Sequence, residues 1–551
     1  MVWGLRQYGG MDSEKLRESI GKAWTTDVLP SLSGLVEIPA VSPAYDAAWQ
    51  ENGQLRAAVE HVRDWVAARG LPGARCEVVQ LDGRAPLLLV DVPATPGATA
   101  AGTVLLYGHL DKQQPLGDWS EGLGPWQAVI RDDRLYGRGA ADDGYSGYAA
   151  TTALEAVHEA GGEHARAVMV LETGEESGSP DLPAYLEHLA DRLGEVSLVV
   201  CLDGGGGDYE RLWLTSSLRG AVQATVTVRV LEASVHSGLG SGIVPSSFRV
   251  MRLLLDRLED PETGEVKVPE MVVPIPEERR AEAAELVARH PDVAVPRLPV
   301  LPGMRRVSDD EVELVLNNTW RPTLSITGAA GLPDPAVAGA VLRDRTSLRL
   351  SFRLPPSADA EAARAALERI LTTDVPYGAQ VEVGEYMVMN GWHAPETTPW
   401  LASALRQVGD GVFGKPCQNL GIGGGIPFME MLGRRYPRAQ FVVTGGTGCG
   451  LERARTGRMA EHPVRRPGDG SRRPPPRRPR PRRRPGLNPC DEGPGHPGPG
   501  VIRVDVQYTV GGGHPGDRVS PRRRRRSHRT REDRQFWVKA SGTPQASSAV
   551  T

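Results

Sequence analysis

Four acidic clusters stand at the ends of apolar runs in this 551-residue chain, and the first carries a histidine. Val104-Leu105-Leu106-Tyr107-Gly108 leads into His109-Leu110-Asp111, and Gly137-Arg138-Gly139 leads into Asp142-Asp143-Gly144. Val168-Met169-Val170-Leu171 leads into Glu175-Glu176, and Leu198-Val199-Val200-Cys201 into Asp203. Imidazole nitrogens and carboxylate oxygens delivered from neighbouring strand ends form a donor set for a pair of divalent cations. The C-terminal ends of strands are also where an open α/β sheet builds its site. The chemistry that these residue types support is metal-assisted hydrolysis.

The elements that must hold these residues can be read from periodicity. From about Met11 to Gly70 the spacing predicts helices, as in Ala57-Ala58-Val59-Glu60-His61-Val62-Arg63-Asp64-Trp65-Val66. Strands and helices then alternate through about residue 217, which predicts a mainly parallel sheet with helices on its faces. Residues 221–230 and 346–354 alternate as half-buried strands, with helical stretches over Ser246 to Glu259 and Ala358 to Leu371. This pattern predicts an α+β domain inserted at about 220–388. A helix from Leu401 to Gly409 and the strand Ala439 to Val443 return to the first style. The expected division is therefore a catalytic domain from segments 11–219 and 389–445, an inserted lid or dimerisation domain at 220–388, and a tail at 446–551.

The net charge of -4 hides a split. From Gly446 onward there are 23 Arg and 1 Lys against 9 Asp and Glu, so the preceding residues are strongly acidic. The tail consists of Pro/Arg/Gly runs such as Ser471 to Gly486 and Arg522 to Arg526. Such composition buries too little apolar area to offset its ordering entropy, which predicts disorder. Arginine runs bind phosphates, but only Tyr508, Phe536 and Trp537 interleave here, which argues against a nucleic-acid partner. No window approaches the roughly 20 apolar residues of a membrane span. Five scattered cysteines, an odd number, and an N-terminus without an apolar run point to a cytoplasmic protein with reduced thiols.

Four motifs, GHLDKQQP, GRGAADDGYSG, LETGEESGSP and SVHSG, resemble the M20 family of metallopeptidases, in particular its cytosolic dipeptidase branch related to carnosinase. The similarity covers roughly residues 15–445. It implies hydrolysis of a dipeptide or similar small amide by water bridging two metal ions. Zinc is the first choice, with manganese or cobalt also suited to the ligands. The resemblance makes His109, Asp142, Glu176 and Asp203 metal ligands, with Asp142 bridging both ions. Asp111 would fix the His109 tautomer, and Asp143 would orient the turn. Glu175 would take a proton from the water and return it to the leaving amine. His236 would reach the active site of a homodimer partner and stabilise the oxyanion there. Arg353 would grip a substrate carboxylate, near backbone amides of a loop at Gly424 and Gly425, where the family often has serine in place of Gly425. An N-acyl-amino-acid deacylase of the same family is the neighbouring alternative.

The pattern breaks once. The family closes its second metal site with a late histidine, in a motif such as GPGSNAHGPNE shortly after the strand matching Phe441 to Gly445. Here the chain reads Gly446-Thr447-Gly448-Cys449-Gly450-Leu451-Glu452-Arg453-Ala454-Arg455. Reverse-translated and read one base out of register, Gly445 to Arg466 can become GVLGAGSNAHGRAEWLNIPYA. Parts of this are forced: Met459-Ala460 must give Trp, and Glu461-His462-Pro463 give Asn or Ser and then Ile or Thr. We therefore expect a single-base slip near Gly445, an out-of-frame tail, a weakened second metal site and a catalytically impaired chain.

Overall fold

The computed structural model describes residues 13–446, apart from residues 100, 116, 118, 120, 132, 133, 296, 297 and 299, together with the backbone of residues 501–503. The tail from 447 otherwise lies outside the described residues, as does the expectation of disorder placed on it. Val501–Arg503 pairs antiparallel with Arg134–Tyr136, so this short stretch of the tail forms a strand.

The fold is mixed α/β. Its largest sheet contains β1 (Arg75–Val79), β2 (Leu87–Val92), β3 (Thr103–His109), β4 (Arg166–Glu172) and β5 (Val196–Cys201), in the order β1-β2-β4-β3-β5, with Gln440–Val443 beyond β5. The pairs β1/β2 and β2/β4 are antiparallel. The pairs β4/β3, β3/β5 and β5 with Gln440–Val443 are parallel. Alternation along each strand explains why both faces are covered. Leu88, Val90, Met169 and Leu171 enter one core, with Val59 and Val62 of the helix Gln54–Ala68 and Tyr148 of Ser146–Glu159. Leu87, Leu89, Leu105, Tyr107, Val168 and Val170 enter the opposite core, with Leu186 of Leu182–His188 and Phe428 of Pro427–Arg435. A sheet buried on both faces needs near-continuous apolar strands, which is what these segments supply.

A second sheet is antiparallel: β6 (Gly220–Arg229), β7 (Thr323–Ala330), β8 (Arg345–Leu354) and β9 (Gln380–Met389), in the order β7-β8-β6-β9. Its inward residues Val222, Ala224, Val226 and Val228 pack against the helices Ser247–Leu255 and Ala360–Thr372. The strand Gln440–Val443, hereafter β10, returns the chain to the first sheet after this excursion. Among the described residues no helix is long and apolar enough to cross a membrane.

One lysine ties the N-terminal helices to the site-bearing edge. Lys112 is 1% exposed, and its Nζ donates to the carbonyls of Leu35 (2.6 Å), Val36 (3.2 Å) and Ile38 (2.6 Å), at the C-terminal end of the helix Leu29–Glu37. An ammonium has three donors, and the negative pole of a helix favours its charge. Replacing it by an apolar chain of similar length takes a bond from each: Leu35 O keeps the Ile38 N–H and Ile38 O the Ala40 N–H, while Val36 O loses the ammonium. Lys112→Met is expected to lower stability by about 3 kcal/mol, measured as a lower urea midpoint at unchanged m-value. An unaltered midpoint would show that the three bonds contribute nothing net.

Candidate metal centre

The parallel strands deliver their C-terminal ends to one edge, which is why residues far apart in sequence meet there. His109 ends β3 and is the Cα partner of Glu172, which ends β4. Asp203 follows β5 by two residues and pairs with Gly445, just beyond β10. Asp142 and Asp143 enter from the tight segment Ala140–Gly144 before the helix Ser146–Glu159, and the peptide bond between them is cis. Gly108 is required beneath them: a Cβ there would lie 2.0 Å from Ser146 Oγ and 2.8 Å from Asp143 Oδ2.

The ligand atoms converge in two groups, His109 with Asp142 and Glu176, and His109 with Glu175 and Asp203. Within each group one donor atom per residue lies within 4.8 Å of the others. His109 is fully buried, and its Nδ1 lies 3.0 Å from the carbonyl oxygen of Asp111. A proton on Nδ1 donated to that carbonyl leaves a lone pair on Nε2. Nε2 is buried without a hydrogen-bond partner, 3.4 Å from Asp142 Oδ1 and 3.9 Å from Glu175 Oε2. An electron pair facing carboxylates in a buried site is unfavourable unless a cation lies between them. The donor set, one imidazole and several hard oxygens, fits a divalent metal ion.

The electrostatics point the same way. Burial, then the neighbouring Asp203 and Glu176, raises Glu175 well above the ordinary carboxylate range. Glu176 is pushed up to about 8, chiefly by burial and then by Asp142. Burial and Asp203 raise Asp143 as well. Burial works against charge on the His109 ring, but the Asp111 and Asp142 carboxyl groups outweigh it and its pKa stands well above the usual value. Acids crowded to this extent resist ionisation together, and a divalent cation is what relieves them.

The sequence and the geometry differ in detail. Nδ1 of His109 lies 3.0 Å from the main-chain oxygen of Asp111 and 3.5 Å from its carboxylate. The carboxylate also accepts the backbone N–H groups of Glu175 (3.2 Å) and Glu176 (3.0 Å), and so fixes the loop that carries both acids. Asp142 and Glu176 fall together, whereas Asp203 groups with Glu175 and His109 in place of Asp142. Asp143 is fully buried, and its Oδ2 lies 3.4 Å from the His109 N–H. Gln113 was quoted only as part of a motif; its side-chain amide donates to Glu176 Oε2 at 2.9 Å.

His236, Arg353, Gly424 and Gly425, predicted for the oxyanion or the substrate, belong to neither ligand group. His236 is exposed, and its Nδ1 accepts the Gly238 N–H at 3.1 Å. The guanidinium of Arg353, on β8, makes no hydrogen bond or ion pair with the described residues. Burial lowers its pKa. Its charge also bears on Arg219, drawn down to about 10 chiefly by burial. The sequence reading passed over Arg219, whose Nε donates to Gly423 O and whose N–H donates to Gly424 O, both at 2.9 Å. An arginine between the strand Trp213–Leu218 and β6 was the available signal. Gly425, found where serine is common, has no room for a side chain: a Cβ would lie 2.3 Å from Met389 Cε and 2.5 Å from Arg219 O.

Comparison with known proteins gives the same direction. A cysteinylglycine-S-conjugate dipeptidase of Corynebacterium striatum is 28% identical over 363 residues, 63% of this chain and 74% of that protein. The beta-Ala-His dipeptidase of Homo sapiens is 30% identical over 297 residues, 52% of this chain and 56% of that protein, so the match spans little more than half of this relative. The crystal structure of human carnosine dipeptidase 1 has the same fold, with a TM-score of 0.59 at 23% identity over 78% of this chain and 91% of that one. A model of peptidase family M20/M25/M40 matches residues 105–458, well over half of the chain, and the chain belongs to that family.

Proposed function

We propose that the chain is a metal-dependent hydrolase of dipeptides or similar small amides, acting through a dinuclear centre at His109, Asp142, Glu175, Glu176 and Asp203. The observation that carries this reading is the buried, unpaired Nε2 of His109 among four carboxylates in a chain of this peptidase family. Divalent ions held there, zinc first and manganese or cobalt next, supply the Lewis acidity that polarises an amide carbonyl and makes water acidic near neutral pH. Glu175 accepts the proton of the attacking water and passes it to the leaving amine, a role suited to a buried carboxyl whose pKa is raised. Asp111 and Gln113 keep the two glutamates in register.

The division proposed is a catalytic domain from 11–219 and 389–445 and an inserted lid or dimerisation domain at 220–388. A homodimer through the second domain is supported by its edge strand β7, which pairs on one side only, and by the exposed Leu239 and Ile243 close to His236. In such a dimer, His236 of one subunit stabilises the oxyanion in the other. The unpaired Arg353 guanidinium, beside Arg219 and the Gly423–Gly425 loop, receives a substrate carboxylate. Cys76, Cys201 and Cys417 are free thiols, in keeping with a cytoplasmic site of action.

The test is a panel of dipeptides and N-acetylated amino acids, offered to the full chain loaded with zinc, manganese or cobalt. Dipeptides are expected to turn over faster, and Glu175→Gln to lower kcat by roughly 10²- to 10⁴-fold. Preference for the acetylated substrates makes the chain a deacylase. Absence of turnover with metal bound would leave a binding protein, the reading that the missing late histidine favours.

A further inference from the structure

We infer that Glu172, which no role above uses, is a positioning residue: its buried carboxylate clamps the loop bearing Glu175 and Glu176 by accepting the hydroxyls of Ser179 and Tyr107 on one oxygen. The inference rests on the metallohydrolase reading and deepens it.

Glu172 ends β4 and is 3% exposed. A carboxylate buried at a strand end is costly unless its oxygens are occupied. Oε1 accepts from Ser179 Oγ at 2.8 Å and from the Tyr107 hydroxyl, another short contact. Tyr107 is 2% exposed and precedes His109 by two residues, so the two side chains leave the same face of β3. Its ring is stacked on Phe428, with centroids 3.5 Å apart, which fixes where the hydroxyl ends. The carboxylate is thereby anchored to the strand that carries the imidazole, and through Ser179 it reaches the far end of the glutamate loop.

Ser179 supplies the second, independent sign. It is 1% exposed and has φ of 53°, in the left-handed region that side-chain-bearing residues avoid. Such a conformation persists only where its surroundings over-determine it, and it recurs at functional sites. The surroundings here include three bonds: the Ser179 N–H to Gly174 O at 2.9 Å, its hydroxyl to Glu172, and the Leu182 N–H to Ser179 O at 3.3 Å. Between Gly174 and Ser179 lie Glu175, Glu176, Ser177 and Gly178. Asp111 holds the front of this turn through its two N–H acceptors, and Glu172 holds the back. Displacement of a reacting group by about 1 Å can cost on the order of 100-fold in rate, so a clamp at this place is worth more to turnover than to folding.

Because both donors meet one oxygen, the chemistry required is acceptance, which an amide oxygen also provides. That separates the clamp from a role for charge. The experiment compares Glu172→Gln, Glu172→Leu and Ser179→Gly in the full chain, reading zinc affinity by competition with a chromophoric chelator and kcat and KM on a dipeptide. Ser179→Gly removes the hydroxyl while relieving the backbone strain, so it is expected to fold even where Glu172→Leu does not. The clamp predicts zinc affinity and kcat lowered on the order of tenfold in Ser179→Gly and Glu172→Leu, with KM unchanged, and most of both retained in Glu172→Gln. Equal loss in Gln and Leu would overturn the clamp in favour of charge. Wild-type zinc affinity in Ser179→Gly, with only the melting temperature moved, would reduce Glu172 to a structural residue. Wild-type protein that binds zinc without hydrolysing dipeptides would refute the proposed function instead, and the affinities alone would still decide the clamp.

Discussion

His109→Ala is expected to abolish turnover, by on the order of 10³-fold or more in kcat/KM, about 4 kcal/mol of transition-state stabilisation. The reason is geometric. The imidazole belongs to both ligand groups, so one substitution strips each of its only nitrogen donor, whereas loss of Asp203 or Glu176 touches one group. What remains is Asp142, Glu175, Glu176 and Asp203 around a buried space, a set of acids with nothing to separate them. Inductively coupled plasma analysis of desalted protein should find less than one bound cation per chain, against a higher occupancy in Asp203→Asn. The substitution leaves the apolar run Val104 to Tyr107 of β3 intact, so the fold is expected to survive and the far-ultraviolet dichroism to be unchanged. Tight cation binding in His109→Ala would mean that Nε2 is unpaired for some other reason, and the centre would have to be rebuilt without it.

How far this centre could be read from the sequence depends on the range over which each contact acts. His109, Glu176 and Asp203 follow apolar strands, whose polarity brings those ends together, whereas Asp142 comes on the segment Ala140–Gly144. The same local logic yielded β3, β4, β5, β6 and β8, where apolar residues recur without interruption or every second position. It did not yield β7 or β9. Thr323–Ala330 is an exposed edge strand of small and polar residues, and Gln380–Met389 alternates around Glu382, Glu385 and a glycine, so neither has the apolar signature of a buried element. The supporting bonds were less legible still. Lys112 finds the carbonyls of residues more than 70 positions earlier, and Arg219 finds Gly423 more than 200 positions later. Glu172 was not singled out, because nothing near it in sequence announces Tyr107 as its donor. Asp111 was expected to fix the His109 tautomer; its carboxylate lies 3.5 Å from Nδ1 and also accepts from the loop after β4, whose closeness only the sheet order reveals.

Restoring the register after Gly445 is expected to produce the other large effect, a gain. The end of β10 is fastened directly to the metal groups: Thr444 N donates to Cys201 O at 2.9 Å, Gly204 N donates to Thr444 O at 2.7 Å, and Gly445 pairs with Asp203. Gly446 N donates to the Tyr145 hydroxyl at 2.8 Å, and that hydroxyl donates to Leu202 O at 2.6 Å, beside Asp203. Gly445 and Gly446 therefore stand beside Asp203 and Tyr145, at one of the two ligand groups; the other is His109 with Asp142 and Glu176. That group has no imidazole but the one it shares. Residues 447–455 contain no histidine, while the reading displaced by one base supplies one within the same short distance. Adding a neutral nitrogen donor to a site of carboxylates and water is expected to tighten the second cation on the order of 100-fold, about 2.7 kcal/mol. Chains expressed from the present and the corrected gene would be compared by competition with a chromophoric chelator and by dipeptide hydrolysis. The corrected chain should hold two ions after desalting and turn over faster, and replacing its new histidine by alanine should return both properties to those of the present chain. Equal second-site affinity in the two chains would mean that carboxylates already complete the centre, and the shifted reading would then have no chemical consequence to explain.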